Sequence, residues 1–213
     1  VIILLILTSI FWLTNLDIYL ESIFFNSQEG FFLKDNVFWK GLYDYGTYPG
    51  LIIFLISFAV LILSFIIPRV RKYRKIAAFL FLLLFIGSGF IVNFVFKEHW
   101  GRPRPREIIQ FGGNHEYVKV WGMGDAGGNS SFPSGHASVA FYLLFPYFLY
   151  KDKKPSYAKL ALLFGISYGL LSGLGRMIQG GHFASDVLWS GGFMYLTGLF
   201  LYYILKMDDT IYL

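Results

Sequence analysis

From Tyr48 to Ile67 the chain runs through twenty residues without a single Asp, Glu, Lys or Arg. At about 1.5 Å of rise per residue, a helix of that length crosses the roughly 30 Å hydrocarbon layer of a bilayer. Lipid offers no hydrogen bonds, so a spanning segment must satisfy its own backbone, as a helix does. Further apolar runs lie at Val1–Leu16, Ile76–Phe96, His136–Tyr150, Leu160–Arg176 and Phe183–Leu205. The fourth and fifth runs are short and need tilt or extension into their flanks. The expectation is an all-α polytopic membrane protein, with six transmembrane helices in one bundle and a single domain over residues 1–213. The chain opens at Val1 inside an apolar run, so a natural start upstream is expected. Asn15-Leu16-Asp17 stands where a signal peptide would carry small residues for cleavage, so the first run reads as a retained helix.

Composition agrees. Hydrophobic residues make up 56% and mean hydropathy is +0.57, against about 45–50% apolar in ordinary soluble domains. The 24 Phe and 15 Tyr suit aromatic belts at the membrane interfaces. Zero Cys excludes disulfides, thiolate metal sites and thiol catalysis. The net charge of +5 does not point to nucleic acid, because the cations sit in short loops between apolar runs. Arg69, Arg71, Lys72, Arg74 and Lys75 form one such loop; Lys151, Lys153, Lys154 and Lys159 form another, opposed only by Asp152. Both read as cytoplasmic, together with the N-terminus. The mildly acidic, aromatic segment Asp17–Tyr45 then falls outside, either along the interface or as a plug between spans.

Three polar clusters interrupt the hydrocarbon: Lys97–Pro105, Pro133-Ser134-Gly135-His136, and Arg176 followed by His182 and Asp186. With an even number of crossings between them, all three face outward. Ionisable groups at a membrane boundary are costly and usually functional. Lys97, Arg104 and Arg176 offer a point charge and two planar forks for phosphate oxygens. Pro103 and Pro105 stiffen an extended turn that aims Arg104. Ser134 is an N-cap candidate, Gly135 permits close approach of backbone to an anion, and His136 can protonate a departing alkoxide. His182 and Asp186, four apart, share a helix face; a carboxylate on one imidazole nitrogen leaves the other free to attack phosphorus. The same pair could ligate a metal with His136 or Asp125 as a third ligand, but Arg104 and Arg176 would repel a divalent cation. Arg102 and Arg106 fall outside the spacing and read as snorkelling interface residues. His99 and His115 read as loop residues, and the glycine-rich run Gly122–Gly128 around Asp125 as a flexible loop.

These clusters resemble the type 2 phosphatidic acid phosphatase family, whose signature runs K-x6-R-P, P-S-G-H and S-R-x5-H-x3-D. Lys97 to Arg104-Pro105 matches the first part, Pro133–His136 the second, and Arg176, His182 and Asp186 the third. Gly175 stands where the family usually has serine, which removes one phosphate contact. The resemblance implies a metal-independent, cofactor-free mechanism through a phosphohistidine. It implies His182 as nucleophile, Asp186 as its orienting partner and His136 as general acid, with Lys97, Arg104, Ser134, Gly135 and Arg176 binding phosphate. Within the family, His99–Pro105 and Gln179–Phe183 are similar to bacterial lipid A phosphatases. That likeness implies removal of the 1-phosphate at the periplasmic face of the bacterial inner membrane, with a membrane lipid phosphate as the partner and no nucleic acid or obligate protein partner. Phosphatidylglycerophosphate and undecaprenyl-pyrophosphate phosphatases would use the same residues. A lipid phosphotransferase, and a transporter or lipid-binding scaffold, are the alternatives from other classes.

Overall fold

The computed structural model describes residues 1–128 and 130–209; the last four residues of the expected domain lie outside it. Helices α1 (Ile2–Leu13) and α2 (Leu16–Ser22) meet at an 80° bend and lead to a short hairpin, β1 (Phe25–Asn26) against β2 (Gly30–Phe31). Helix α3 (Val37–Tyr45) turns into α4 (Tyr48–Ile66). After a 3-10 turn at Pro68–Tyr73, α5 (Arg74–Leu82) continues as a π-helix over Leu83–Lys97. A long loop follows, then α6 (Gly135–Phe141), α7 (Phe145–Tyr150), α8 (Pro155–Ile178) and α9 (Ala184–Ile204).

Four helical stretches are long and apolar enough to cross a membrane: Val37–Ile66, Pro68–Lys97, Pro155–Ile178 and Ala184–Ile204. The bent α1–α2 pair makes a fifth if it counts as one span. The sequence reading counts six, and the difference lies in His136–Tyr150. That stretch is not one helix: a 3-10 turn at Tyr142–Leu144 divides α6 from α7, and Pro146 in the first turn of α7 lacks the N–H that an unbroken helix would use. The first run also stops short, at Leu13, where Thr14 turns extended. The fifth run lengthens instead, because α8 starts at Pro155, a residue suited to a helix's first turn.

Packing follows the rules of lipid rather than water. Helix α4 exposes Leu51, Ile52, Leu55, Ile56, Ile62 and Phe65 and buries Gly50, Ser57 and Ser64. Helix α8 buries a stripe of Gly165, Gly169 and Gly173, four residues apart, while Leu163, Phe164 and Leu170 point outward. A side chain at Gly165 would meet Leu144, at Gly169 Phe141, and at Gly173 Val187, so the stripe lets α6, the turn after it and α9 pack against the α8 backbone.

Among the described residues three clusters fill the interior, the smallest of them Phe31, Ile108, Phe111 and Phe183; the other two are larger. Phe79, Leu83, Phe141, Tyr142, Phe148, Met194 and Tyr202 form one; Val92, Phe132, Trp189 and Phe193 form the other, with Trp100 and Trp121 packed on it. Both basic loops reach the C-terminal end of α9. The Lys75 ammonium donates to the Lys206 carbonyl, and the Lys151 ammonium lies 4.1 Å from the Tyr202 ring centroid. The polar clusters gather at the opposite end, beside the N-terminus of α9.

Candidate active site

The first motif leaves the last turn of the π-helix at Lys97 and is held by the loops around it. The Trp100 carbonyl accepts from Gly124 N at 3.0 Å and the Gly101 carbonyl from Ala126 N at 2.9 Å. Gly101 sits at φ +65, and a side chain there would run into the Gly124 carbonyl. Two further bonds strap Ser130-Ser131 alongside: Ser130 N to the Lys97 carbonyl at 2.9 Å, and Ser131 N to the Arg102 carbonyl at 2.7 Å. Between its two prolines Arg104 is extended (φ −79, ψ 158), and its N–H donates to Glu107 Oε2 at 2.9 Å. Arg106 N donates to the Gly180 carbonyl at 3.1 Å, tying this motif to the loop before His182.

The second motif follows directly. Ser134 caps α6, its hydroxyl accepting from Ala137 N at 3.3 Å, and its carbonyl accepts from the Ser190 hydroxyl at 2.9 Å. A Cβ at Gly135 would sit 2.7 Å from Asn93 Oδ1, too close without a shift of that amide, and in ordinary contact, 3.6 Å, with Lys97 Nζ. His136 is half-buried beneath an aromatic roof. The Tyr43 ring, from α3, stacks on it with centroids 4.6 Å apart, and the Arg176 guanidinium lies 4.6 Å from the same Tyr43 ring. Gly175 faces α3 as well: its Cβ position lies 3.4 Å from Trp39 and 3.5 Å from Leu42.

The third motif supplies the nucleophile candidate. His182 precedes α9 and is 1% exposed. Its Nδ1 lies 2.6 Å from the Ser131 carbonyl and 3.8 Å from Asp186 Oδ2. A carbonyl can only accept, so the ring proton sits on Nδ1 and the Nε2 lone pair is free. This corrects one expectation, that His182 and Asp186 share a helix face, because α9 begins at Ala184. The Ser131 carbonyl is the nearer acceptor on Nδ1, and Asp186 Oδ2 is the second group at the same nitrogen. Burial lowers the His182 pKa to about 3; Asp186 beside Nδ1 opposes that shift and the Arg176 cation adds to it.

Lys97, Arg104 and Arg176 lie within electrostatic reach of one another, and Lys97 and Arg176 of both imidazoles. The structure therefore brings together the cations and histidines expected from the sequence. Burial and the neighbouring Arg106 charge lower the pKa of Arg104. Arg176 is buried, its Nη1 donates to Gln179 Oε1, and its Nε has no hydrogen-bond partner among the described residues. The arrangement can collect an anion against several donors, with an imidazole nitrogen beside it.

Arg102 departs furthest from expectation. It does not snorkel at an interface but is fully buried, donating from Nη1 to Asp186 Oδ1 at 2.5 Å and from Nη2 to Asp17 Oδ2 at 2.9 Å. Although burial opposes its charge, the carboxylates of Asp186 and Asp17 raise its pKa above the usual value. Asp17, read as part of an outer acidic segment, is buried on α2. Arg106 is exposed, as expected. Tyr43, Ser131 and Asp17 carried no sequence signal; Arg102 lay inside the first motif. Asp125 is exposed and sits 3.5 Å from His115 Nδ1, and Asp186 is taken up by Arg102 and Ser131. Among the described residues no three His, Asp or Glu side chains gather as a metal site.

Comparison with known proteins agrees with the motifs. The family model of the PAP2 superfamily matches residues 77–209. A lipid A 4'-phosphatase of Francisella tularensis subsp. novicida (strain U112) is 34% identical, over 88% of this chain and 85% of its own length. A lipid A 4'-phosphatase of Rhizobium leguminosarum is 41% identical over 49% of this chain and 44% of its own. Phosphatidylglycerophosphatase B of Bacillus subtilis (strain 168) is 32% identical over 64% and 61%. No solved structure matches the chain. With the motifs assembled at one end of a helical bundle and the family model spanning well over half its length, the chain belongs to the PAP2 superfamily.

Proposed function

We propose that this lipid phosphatase removes the 4'-phosphate of lipid A through a covalent phosphohistidine on His182. The observation that carries the chemistry is the Ser131 carbonyl 2.6 Å from His182 Nδ1, which leaves Nε2 unprotonated on an imidazole within electrostatic reach of Lys97 and Arg176. Those cations, with Arg104, bind the phosphoryl oxygens and neutralise charge as it develops, the main requirement of phosphoryl transfer. In this reading Ser134 and Gly135, at the start of α6, bind the same group. Nε2 forms a bond to phosphorus as the ester P–O bond breaks. His136, which burial and the Arg176 and Lys97 cations keep neutral before substrate binds, takes up a proton when the phosphate anion offsets those cations and gives it to the departing sugar alkoxide. A water, deprotonated by His136, then attacks phosphorus; inorganic phosphate leaves and the electron pair of the N–P bond returns to His182. The scheme uses lipid and water alone.

The short motifs favour the 1-phosphate; the relative that spans most of the chain is a 4'-phosphatase, and its coverage outweighs segments of five to seven residues. The partial match to a phosphatidylglycerophosphatase supports that lipid as the next candidate. Helix α9, about 31 Å long by its 21 residues, separates the site from both basic loops. By the positive-inside rule the site then opens to the periplasm from the bacterial inner membrane. In a six-span arrangement the broken α6–α7 stretch crosses as the additional segment.

The test is purified protein with bis-phosphorylated lipid A, without added metal, followed by mass spectrometry and inorganic phosphate release. Loss of the 4'-phosphate, abolished in His182→Ala, is expected. Loss of the 1-phosphate overturns the regiochemistry, and release that survives His182→Ala overturns the nucleophile.

A further inference from the structure

The catalytic carboxylate is gripped by a residue pair that includes a segment outside the family match. Arg102 Nη1 reaches Asp186 Oδ1 at 2.5 Å and the Ser185 hydroxyl at 2.9 Å; Nε reaches the Val118 carbonyl at 2.8 Å. Nη2 is held by Asp17 Oδ2 at 2.9 Å. Asp17 is anchored in turn by Ser185 N at 2.9 Å, the Ser185 hydroxyl at 2.5 Å and the Tyr117 hydroxyl at 3.2 Å. It lies on α2, whereas the family match begins at residue 77.

The other side of Asp186 leads to the nucleophile. Asp186 Oδ2 accepts from the Ser131 hydroxyl at 2.5 Å and from Phe183 N at 2.8 Å. The carbonyl of the same Ser131 accepts from His182 Nδ1, and its N–H donates to the Arg102 carbonyl at 2.7 Å. Arg102 therefore fixes the histidine twice, by side chain through Asp186 and by backbone through Ser131.

We propose that Arg102 and Asp17 are positioning residues for phosphoryl transfer, a guanidinium–carboxylate clamp that aims Nε2 of His182 by fixing Asp186 and Ser131; this rests on His182 being the nucleophile. A fully buried guanidinium between two carboxylates is a poor way to gain stability, since desolvation offsets most of the attraction. It is a good way to fix direction, because the planar fork sets the angle of each oxygen it binds. Two carboxylates, Asp17 and Asp186, face the single guanidinium, with the buried Glu21 carboxyl nearby. Asp186 lies on the Nδ1 side of His182, opposite the free Nε2, where its carboxylate complements the positive charge the imidazole gains on forming the N–P bond.

The experiment compares the full-length protein in detergent with its Asp17→Asn, Arg102→Lys and Arg102→Met variants. Dioctanoyl phosphatidic acid serves as probe, and rapid quench titrates the acid-labile phosphoenzyme so that turnover is counted per active site. Asp17→Asn keeps the shape and is expected to lower kcat per site about tenfold with KM changed less than threefold. Arg102→Lys is expected to retain more turnover than Arg102→Met. Wild-type turnover per site in Asp17→Asn, with any loss confined to the number of active sites, overturns the proposal; this holds even if the Arg102 variants fail to fold. The underlying reading fails separately, if wild-type protein forms no phosphoenzyme or His182→Ala still forms one.

Discussion

The Tyr43 ring stacks on the imidazole of His136, centroids 4.6 Å apart and planes within 18°. The same ring carries the Arg176 guanidinium 4.6 Å from its centroid. One aromatic residue from α3 therefore touches the proposed general acid and a proposed phosphate ligand. Half-buried cation–π contacts contribute about 1–2 kcal/mol. Tyr43→Ala is expected to raise KM roughly 5-fold to 30-fold in steady-state assays, whereas Tyr43→Phe, which keeps the ring face, stays within about threefold of wild type. Equal losses in both variants would assign the effect to the hydroxyl instead.

The pH dependence follows from burial of His182. Its pKa falls from 6.5 to about 3, so the folded protein keeps the proposed nucleophile neutral well into the acid range. The acid limb of kcat/KM that belongs to His182 is therefore expected below the ordinary histidine range. Stability moves the same way. The unfolded chain binds this proton near pH 6.5 and the folded chain does not, so stability falls as pH drops from about 6.5 towards 3. Unfolding midpoints in detergent between pH 7.5 and 4.5 check the sign; a midpoint that rises on acidification contradicts it.

Gly173 lets α8 lie against Val187 of α9, the helix that carries Asp186. Gly173→Leu overpacks this contact and is expected to cost about 1–3 kcal/mol. Leu163→Ala, on the outward face of α8, is expected to stay within about 0.5 kcal/mol. Equilibrium unfolding in mixed micelles separates the two.

Gly175 stands where the family signature that the sequence resembles has serine, and its Cβ position is in ordinary van der Waals range of Trp39 and Leu42. Gly175→Ser should therefore fold, with an unfolding midpoint within a few degrees of wild type. Turnover is expected within about threefold, because the proposed ligands Lys97, Arg104 and Arg176 suffice to hold the phosphate without the hydroxyl. A tenfold gain would show that the missing contact limits this protein.

The motifs were readable in the sequence because they encode local geometry. Ser134 before a helical run caps it, two prolines hold Arg104 extended, and glycines permit close approach, whatever lies further off. The apolar runs likewise announced a helical membrane protein, since lipid leaves the backbone few other solutions. The partners of buried charge were beyond the sequence. Arg102 meets Asp186 and Asp17 across 84 and 85 residues, and nothing in the local pattern separates it from the exposed Arg106 four residues on. The place of Ser131 on His182 came equally from packing, whereas the division of His136–Tyr150 had a local mark in Pro146. Hydrophobic pattern is a property of neighbours along the chain; pairing of charges out of water depends on which loops the bundle brings together, and only the folded arrangement decides that.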